Sequence, residues 1–365
     1  MQADAVTPPG GPGAAAVQTD RYDSIASIAD EWEALADRVG AKPWLRPGWF
    51  DAWHSAFGRG RLEVFAVRSG DRLAAVAPFE RYRSARVSLT NWHTPFYDAV
   101  AESEQAATAL VRAALEDRPA RLDAAFVSAA APGHAILARE GERNRCRLVA
   151  RTIERPPYLE LEPGWHVDRA DLPGKLRADL RRRRRQLEAE GEVAVEVLDG
   201  RTELGKLLDE GFAVEASGWK GEKGTAINSR RDTRLFYERI AEWTAPRSWL
   251  RLSFLRLGGR AIAFEYLLEH DAVLARLKGG YDPEFRRFAP SKLLLAGVLE
   301  AAAARGVRRF EFLGGEEPWK LEWTNHFHDL RRIQLFPRTA TGTVAWTAWA
   351  FGRPAAKRLL ALARR

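Results

Sequence analysis

LARLKGGYDPEFRRFAPSKLLLAGVLEAAAARGVRRFEFLGGEEPWKLEW, running from Leu274 to Trp323, is the stretch on which the fold turns. Ala272 to Lys278 carries enough apolar residues for a short strand, closed by Gly279-Gly280. A polar loop follows, Tyr281-Asp282-Pro283-Glu284-Phe285-Arg286. Ser291 to Arg305 then repeats apolar residues at helical spacing (Leu294, Val298, Ala301 and Leu295, Leu299, Ala302), with Gly306 placed to end the helix. Val307 to Leu313 is a second strand, closed by Gly314-Gly315. Two strands joined through a helix form, most simply, a parallel βαβ unit.

The loop before that helix carries the chemistry. Arg286-Arg287-Phe288-Ala289-Pro290-Ser291 is an Arg-x-x-small-x-small pattern at a strand-to-helix junction. The first turn of a helix has unpaired N–H groups and a partial positive charge, which suits a phosphate. This resembles the pyrophosphate loop of the GNAT (Gcn5-related) N-acetyltransferases, where Arg/Gln-x-x-Gly-x-Gly/Ala holds coenzyme A. The sequence departs from that pattern: Ala289 and Ser291 replace glycines, and Pro290 has no N–H. An ordinary capped helix is the plain alternative for the loop taken by itself.

The flanks extend the resemblance. Tyr281-Asp282-Pro283, Ala289 to Leu294 and Phe310-Glu311-Phe312-Leu313-Gly314-Gly315-Glu316-Glu317-Pro318-Trp319-Lys320 are similar to the C-terminal signature of one GNAT branch. That branch holds the CelD/BcsL-like and BioF-like acyltransferase domains and, more distantly, the Fem-type peptidoglycan aminoacyl transferases. Leu172 to Arg182 and Glu215 to Gly221 are similar to other segments of the same families, so the likeness covers roughly residues 20 to 340. It implies an α/β chain with mixed sheets, tandem GNAT-like domains in the Fem-type arrangement, and acyl-CoA (acetyl-CoA above all) as co-substrate with no permanently bound cofactor. It implies Arg286, Arg287, Phe288, Ala289, Ser291 and Lys292 as the cofactor-binding set, and Trp219, Lys220, Arg181 and Tyr281 as substrate contacts. Lys320 falls on the Fem-type turn whose lysine lies at the active site, where a cation can stabilise an oxyanion or bind a phosphate. Many GNAT enzymes keep a carboxylate base near the strand before the phosphate loop, but Ala272 to Gly280 has no acid. Glu311, Glu316 and Glu265 are the substitutes within reach in sequence.

The rest of the chain fits two related halves. Leu62–Arg68 and Arg72–Glu80 flank the turn Ser69-Gly70-Asp71, and Leu250–Leu257 and Arg260–Leu268 repeat that hairpin 188 positions later, Arg68-x-Gly70-x-Arg72 falling on Arg256-x-Gly258-x-Arg260. The expected division is a disordered Ala/Pro/Gly-rich tail over residues 1–20, a degenerate GNAT-like domain over 21–172, the acyltransferase domain over 173–340 and an amphipathic helix over 341–365. Ser27 to Val39 reads as a helix stopped by Gly40, and Trp44, Trp49, Phe50, Trp53 and Phe57 read as core. Lys175 to Gly191 is a helix bearing Arg181 to Arg185, whose five cations spread around its circumference; a solvated face and an anion-facing helix are both open. Glu203 to Ala216 is a further helix, ahead of the glycine-spaced Gly218 to Gly224.

Composition narrows the classes. At 365 residues, 46% hydrophobic and with 13 tryptophans, the chain is long and apolar enough for two cores. A net charge of +8 favours anionic partners. Cys146 is the only cysteine, which excludes an internal disulfide and cysteine-based metal clusters, and His326-x-His328 lacks a nearby third ligand, so no metal site is expected. No secretory signal or bilayer-length apolar run is read, and the expected location is cytoplasmic. The expected activity is acyl transfer from acyl-CoA to an amine, with an amino sugar or an envelope or polysaccharide precursor as the acceptor the resemblance implies. An aminoacyl-tRNA donor is the alternative within the fold. A non-enzymatic nucleic-acid or membrane-surface binder is the alternative on charge alone, and the C-terminal helix allows peripheral membrane contact.

Overall fold

The computed structural model describes residues 17–168, 172–218, 221 and 223–352. Its first half runs β1 (Val17–Tyr22), α1 (Ala29–Arg38), α2 (Pro47–Phe57), β2 (Arg61–Ser69), β3 (Arg72–Tyr82), β4 (Ala85–Ser88), β5 (Val100–Ala101), α3 (Glu104–Glu116), β6 (Arg121–Ser128), α4 (Pro132–Arg143) and β7 (Arg147–Glu154). The second runs β8 (Pro157–Glu160), α5 (Gly174–Glu188), β9 (Val193–Leu198), α6 (Leu204–Ala216), α7 (Arg231–Thr244), β10 (Leu250–Leu257), β11 (Arg260–His270), β12 (Val273–Tyr281), α8 (Pro290–Ala304), β13 (Arg309–Glu311), β14 (His326–Phe327), β15 (Leu330–Phe336) and α9 (Ala340–Thr347). The strands build two mixed sheets, ordered β1-β2-β3-β4-β6-β15-β7, with β5 also on β3, and β14-β8-β13-β12-β11-β10-β9. Among the described residues only β4–β6 and β12–β13 are parallel pairs, and each is spanned by a helix, α3 or α8. The βαβ reading of the deciding stretch is therefore correct.

The duplication goes deeper than one hairpin. Both hairpins carry a register shift just before the repeated arginine, at Val67/Arg68 and at Leu255/Arg256. Arg68 reaches Asp20 on β1, Glu31 on α1 and the carbonyl of Asp71. Arg256 reaches Glu196 on β9, Glu210 on α6 and the carbonyl of Gly259. One guanidinium thus ties a strand (β1 or β9), the helix after it (α1 or α6) and the hairpin turn together in each half. Carboxylate fork bonding of this kind is geometrically demanding, so its recurrence marks the same local architecture built twice.

Each correction to the reading has a local cause. Val17 to Tyr22 is a strand, not tail, because the free edge of β2 pairs with it from Val17↔Ser69 to Tyr22↔Val64. The strand expected over Ala272–Lys278 continues through both glycines to Tyr281, since β11 keeps pairing as far as Ala263↔Tyr281. Val307 to Leu313 shrinks to Arg309–Glu311. The two sheets also exchange strands across the expected boundary at 172: β8 joins the second sheet, and β15 inserts between β6 and β7 of the first. Of the helix expected over 341–365, Ala340–Thr347 is α-helical and Ala348–Gly352 π-helical, and residues 353–365 lie outside the described part.

Helix α8 forms and stops as its sequence dictates. Leu294, Leu295, Val298, Leu299 and Ala302 are buried against the second sheet. Gly306 sits at φ +92°, with Gly306 N–H to the Ala303 carbonyl and Val307 N–H to that of Ala302, a Schellman closure. One core cluster spans both halves: Trp49 of α2 meets Phe236 of α7 edge to face at 5.2 Å, and Phe57 approaches the same ring at 5.3 Å. A second cluster fills the other face of the second sheet beneath α5 and α8.

The first half has closed its own opening. After Ser88 the chain leaves the sheet and returns as β5, and within this excursion Tyr97 donates its N–H to the Phe126 carbonyl and its hydroxyl to the Pro78 carbonyl. Only about 30 Å³ of space remains behind Tyr97 and Asp98, roughly one water. Burial pushes the Asp98 carboxyl up to about 6, although the N–H groups of Ala99 and Gly133 favour its anion. The folded chain therefore holds this proton more tightly than the unfolded one. The stability this contributes is complete below the unfolded value of 3.8 and is lost as pH rises through about 6. Asp98→Asn is expected to remove that dependence and to raise stability at pH 8 by on the order of 3 kcal/mol, read from urea unfolding at pH 4, 6 and 8.

Candidate active site

The second half keeps its opening. β12 and β13 pair only over Val273–Ala275 and Arg309–Glu311. Beyond that, β12 runs on to Tyr281 while Phe312 turns away to bond the Pro157 carbonyl on β8. Two parallel strands part here, directly before the start of α8.

The loop into α8 is built from local capping. The Asp282 carboxylate accepts the Glu284 N–H, and Pro283–Phe288 makes a 3-10 turn. Ala289 then adopts φ +49°, and α8 begins at Pro290. The Ala289 carbonyl receives the N–H groups of Lys292 (2.9 Å) and Leu293 (3.3 Å), while its own N–H bonds Arg286. In the cradle expected from Phe288 to Lys292, two donors are therefore spent and Pro290 has none. Ser291 N–H has no acceptor among the described residues. The φ > 0 corner that a glycine would take freely falls on alanine here.

Side chains supply what the backbone does not. Arg286 is exposed and has no ion pair among the described residues. Arg287 bonds Glu190 (2.9 Å) and lies over the buried ring of Phe288 at 4.5 Å. Lys292 is paired with Glu322 at 2.5 Å. From α5, Arg183 donates to the Arg287 carbonyl at 2.5 Å, so the arginine helix touches this loop. Its other cations are largely paired: Arg181 with Asp168, Arg182 and Arg183 with Asp179, Arg184 with Glu188. Tyr281 packs against the second core, and its carbonyl lies 3.5 Å from Ser217 Oγ. Trp219 and Lys220 lie outside the described residues.

The parted strands have two unlike faces. On the α8 side Glu265 and Arg276 form a buried pair at 2.9 Å, with the Arg276 guanidinium 5.0 Å over Trp319. On the other side Glu311, opposite Ala275, is buried and bonds His328 Nε2 at 3.0 Å. His328 is wedged between Phe96 (5.0 Å) and Tyr158 (4.6 Å). Further along β12, the Lys278 ammonium lies 5.9 Å over Tyr237, whose hydroxyl meets His93 Nδ1 at 3.2 Å. Burial pushes Lys278 below the usual lysine range, and the Glu215 carboxylate opposes this. Burial first, and the Lys278 charge second, hold His93 down to about 3, so its ring is neutral at physiological pH. Gly280 is required here: a Cβ would lie 2.7 Å from the Glu215 Cα.

Phe96 and His93 both belong to the first half's excursion between β4 and β5. The plug that closes the first opening therefore walls the second. His328, His93, Tyr237 and Lys278 were not singled out as site residues from sequence. In the sequence His328 stood out only as half of His326-x-His328, and Lys278 only as a second cation, after Arg276, in a short strand before two glycines.

The other two candidate catalytic residues are engaged elsewhere. Glu316 pairs with Arg155 (2.7 Å) on a half-exposed turn. Lys320 is 4% exposed, and its ammonium donates to the carbonyls of Leu313 and Gly315 and pairs with Glu317, which leaves no proton for an oxyanion in this arrangement.

Residues 174–321 match the family model for an acetyltransferase (GNAT) domain. A search of curated proteins found no match. Among solved structures, L-PGS from Bacillus licheniformis is similar at 13% identity and TM-score 0.57, over 86% of this chain and 94% of that one. FemX is similar at 11% and 0.56, over 86% and 96%. The C-terminal DUF2156 domain of an Agrobacterium fabrum protein assigned as a lysylphosphatidylglycerol synthetase is similar at 15% and 0.55, over 89% and 95%. At such identities these likenesses speak for the fold alone. Residues 174–321 thus carry a GNAT acetyltransferase domain match, which supports acyl transfer, and the chain as a whole shares its fold of two mixed sheets with FemX.

Proposed function

We propose that the chain moves an acyl group, acetyl first of all, from acyl-CoA to the amine of a small acceptor held between its halves. The carrying observation is the parting of β12 and β13 beside the start of α8, where Arg286 is exposed without an ion pair and the Ser291 N–H has no acceptor among the described residues. In this reading the diphosphate rests on Arg286, Arg287 and the Ser291 N–H, and the thioester enters between the strands. The acceptor approaches from the face of Glu311, Lys278 and Tyr237. Its amine must be neutral to attack, and Glu311, oriented by His328, takes the proton as the C–N bond forms and the thiolate leaves. An amino sugar or an envelope or polysaccharide precursor is the acceptor class, and the cytoplasm, where acyl-CoA is made, is the location.

A second reading takes aminoacyl-tRNA as donor, as the Fem-type likeness suggests. The pairing of Arg181 to Arg184 with carboxylates of its own neighbourhood counts against it, because tRNA phosphates would have to displace those acids. Incubation with acetyl-CoA and a panel of amino sugars, following release of the CoA thiol, tests the proposal. Amine-dependent release supports it. Transfer from a charged tRNA pool without any thiol release replaces it with the second reading.

A further inference from the structure

The charge of this chain is concentrated at one end. The net charge is +8, and residues 330–365 hold eight Lys and Arg and no Asp or Glu, leaving 49 cations against 49 anions in residues 1–329. Two of the eight, Arg331 and Arg332, are used internally against Asp329 and Asp123. The exposed Arg338 has no ion pair among the described residues, and beyond Gly352 the sequence adds Arg353, Lys357, Arg358, Arg364 and Arg365.

The surface beside this charge is apolar. Along α9 and the π-helical Ala348–Gly352, Val344 is 69% exposed and Phe351 64% exposed, with exposed Ala348 between them on the same face. Trp346 meets Phe351 at 5.9 Å and is held from behind by the Arg147 guanidinium at 4.7 Å, which also bonds Thr343. Next to it, Leu148 on the edge strand β7 is 45% exposed, in a groove of about 870 Å³ shared with Cys146, Arg145 and Arg338. An aliphatic row with one well-exposed ring, Phe351, gives a nucleic acid a single stacking platform beside the cations, and Val344 and Ala348 offer its bases nothing polar. It matches the layered chemistry of a bilayer surface, where phosphate lies above the first methylenes.

We propose that this face docks on an anionic phospholipid surface. Val344, Phe351 and Trp346 enter the headgroup layer, Arg145 and Arg338 meet lipid phosphate, and the positive charge of the sequence after Gly352 adds to the long-range attraction. The inference is independent of which acyl donor the cleft uses, because it rests on residues at the opposite end of β15 from His328.

The test is co-sedimentation of the full chain with vesicles of phosphatidylcholine alone or mixed with phosphatidylglycerol, at low and high salt. Binding is expected on the mixed vesicles and not on phosphatidylcholine alone. Val344→Asp with Phe351→Asp should weaken it roughly ten-fold or more, with unchanged thermal melting. Should that pair unfold the helix, Lys357→Glu with Arg358→Glu reads the charge contribution in its place, with a comparable loss expected. Absence of vesicle binding, equal binding by both variants, or binding to a tRNA pool that the apolar substitutions leave intact while vesicles are ignored would each overturn the proposal.

Discussion

Glu311→Gln is expected to lower kcat for acyl transfer by about 10²- to 10⁴-fold while leaving acetyl-CoA affinity unchanged. Glu311 is buried at the end of β13 and bonded to His328 at 3.0 Å, on the face of the parted strands away from α8. The amide keeps a hydrogen bond to the ring but cannot take a proton. The deficit should shrink as pH rises, because hydroxide can then take the proton that the amine loses as the C–N bond forms. His328→Ala should act through Glu311, with a smaller kcat loss and the same unchanged donor affinity. Steady-state kinetics across pH 6 to 10 check both. A Gln variant with parental kcat would leave the base to be found elsewhere.

Lys320→Met is expected to cost stability more than chemistry. Leu313 and Gly314 both sit at positive φ, +53° and +63°, and this left-handed turn brings the Leu313 and Gly315 carbonyls to one point. The buried ammonium bonds both and is pushed below the usual lysine range by that burial. Replacing it leaves two carbonyls without a donor at about 1–3 kcal/mol each, partly offset by water, so a loss of about 2–4 kcal/mol in urea unfolding is expected. At a temperature where the variant is folded, kcat should stay within about ten-fold of the parent. A fall beyond a hundred-fold with stability intact would instead place the ammonium at the reacting carbonyl.

What the sequence discloses and what it hides divide along local and non-local lines. The hairpin repeat disclosed the tandem unit because turn chemistry is local, and α8 was legible from its spacing and from Gly306. β1 was hidden because Val17 to Tyr22 is a short edge strand whose only warrant is β2, more than forty residues away. The loop at Arg286 could be placed, but its spent donors could not: they follow from the φ of Ala289, which composition does not reveal. Glu311 was within sight as a carboxylate. Its partner His328 lies 17 residues on, past the Gly-rich turn, and the arrival of His93 and Phe96 from the other half comes from packing across roughly 140 to 230 residues of chain, where periodicity carries no information.

Calorimetric titration of acetyl-CoA into the parent chain and into Arg286→Ala tests the central claim most directly. The account predicts binding by the parent and a ten- to hundred-fold weakening in the variant, the effect of one charge-assisted phosphate contact at about 1.5–3 kcal/mol. A folded parent that ignores acetyl-CoA, or equal affinity in both proteins, would contradict it.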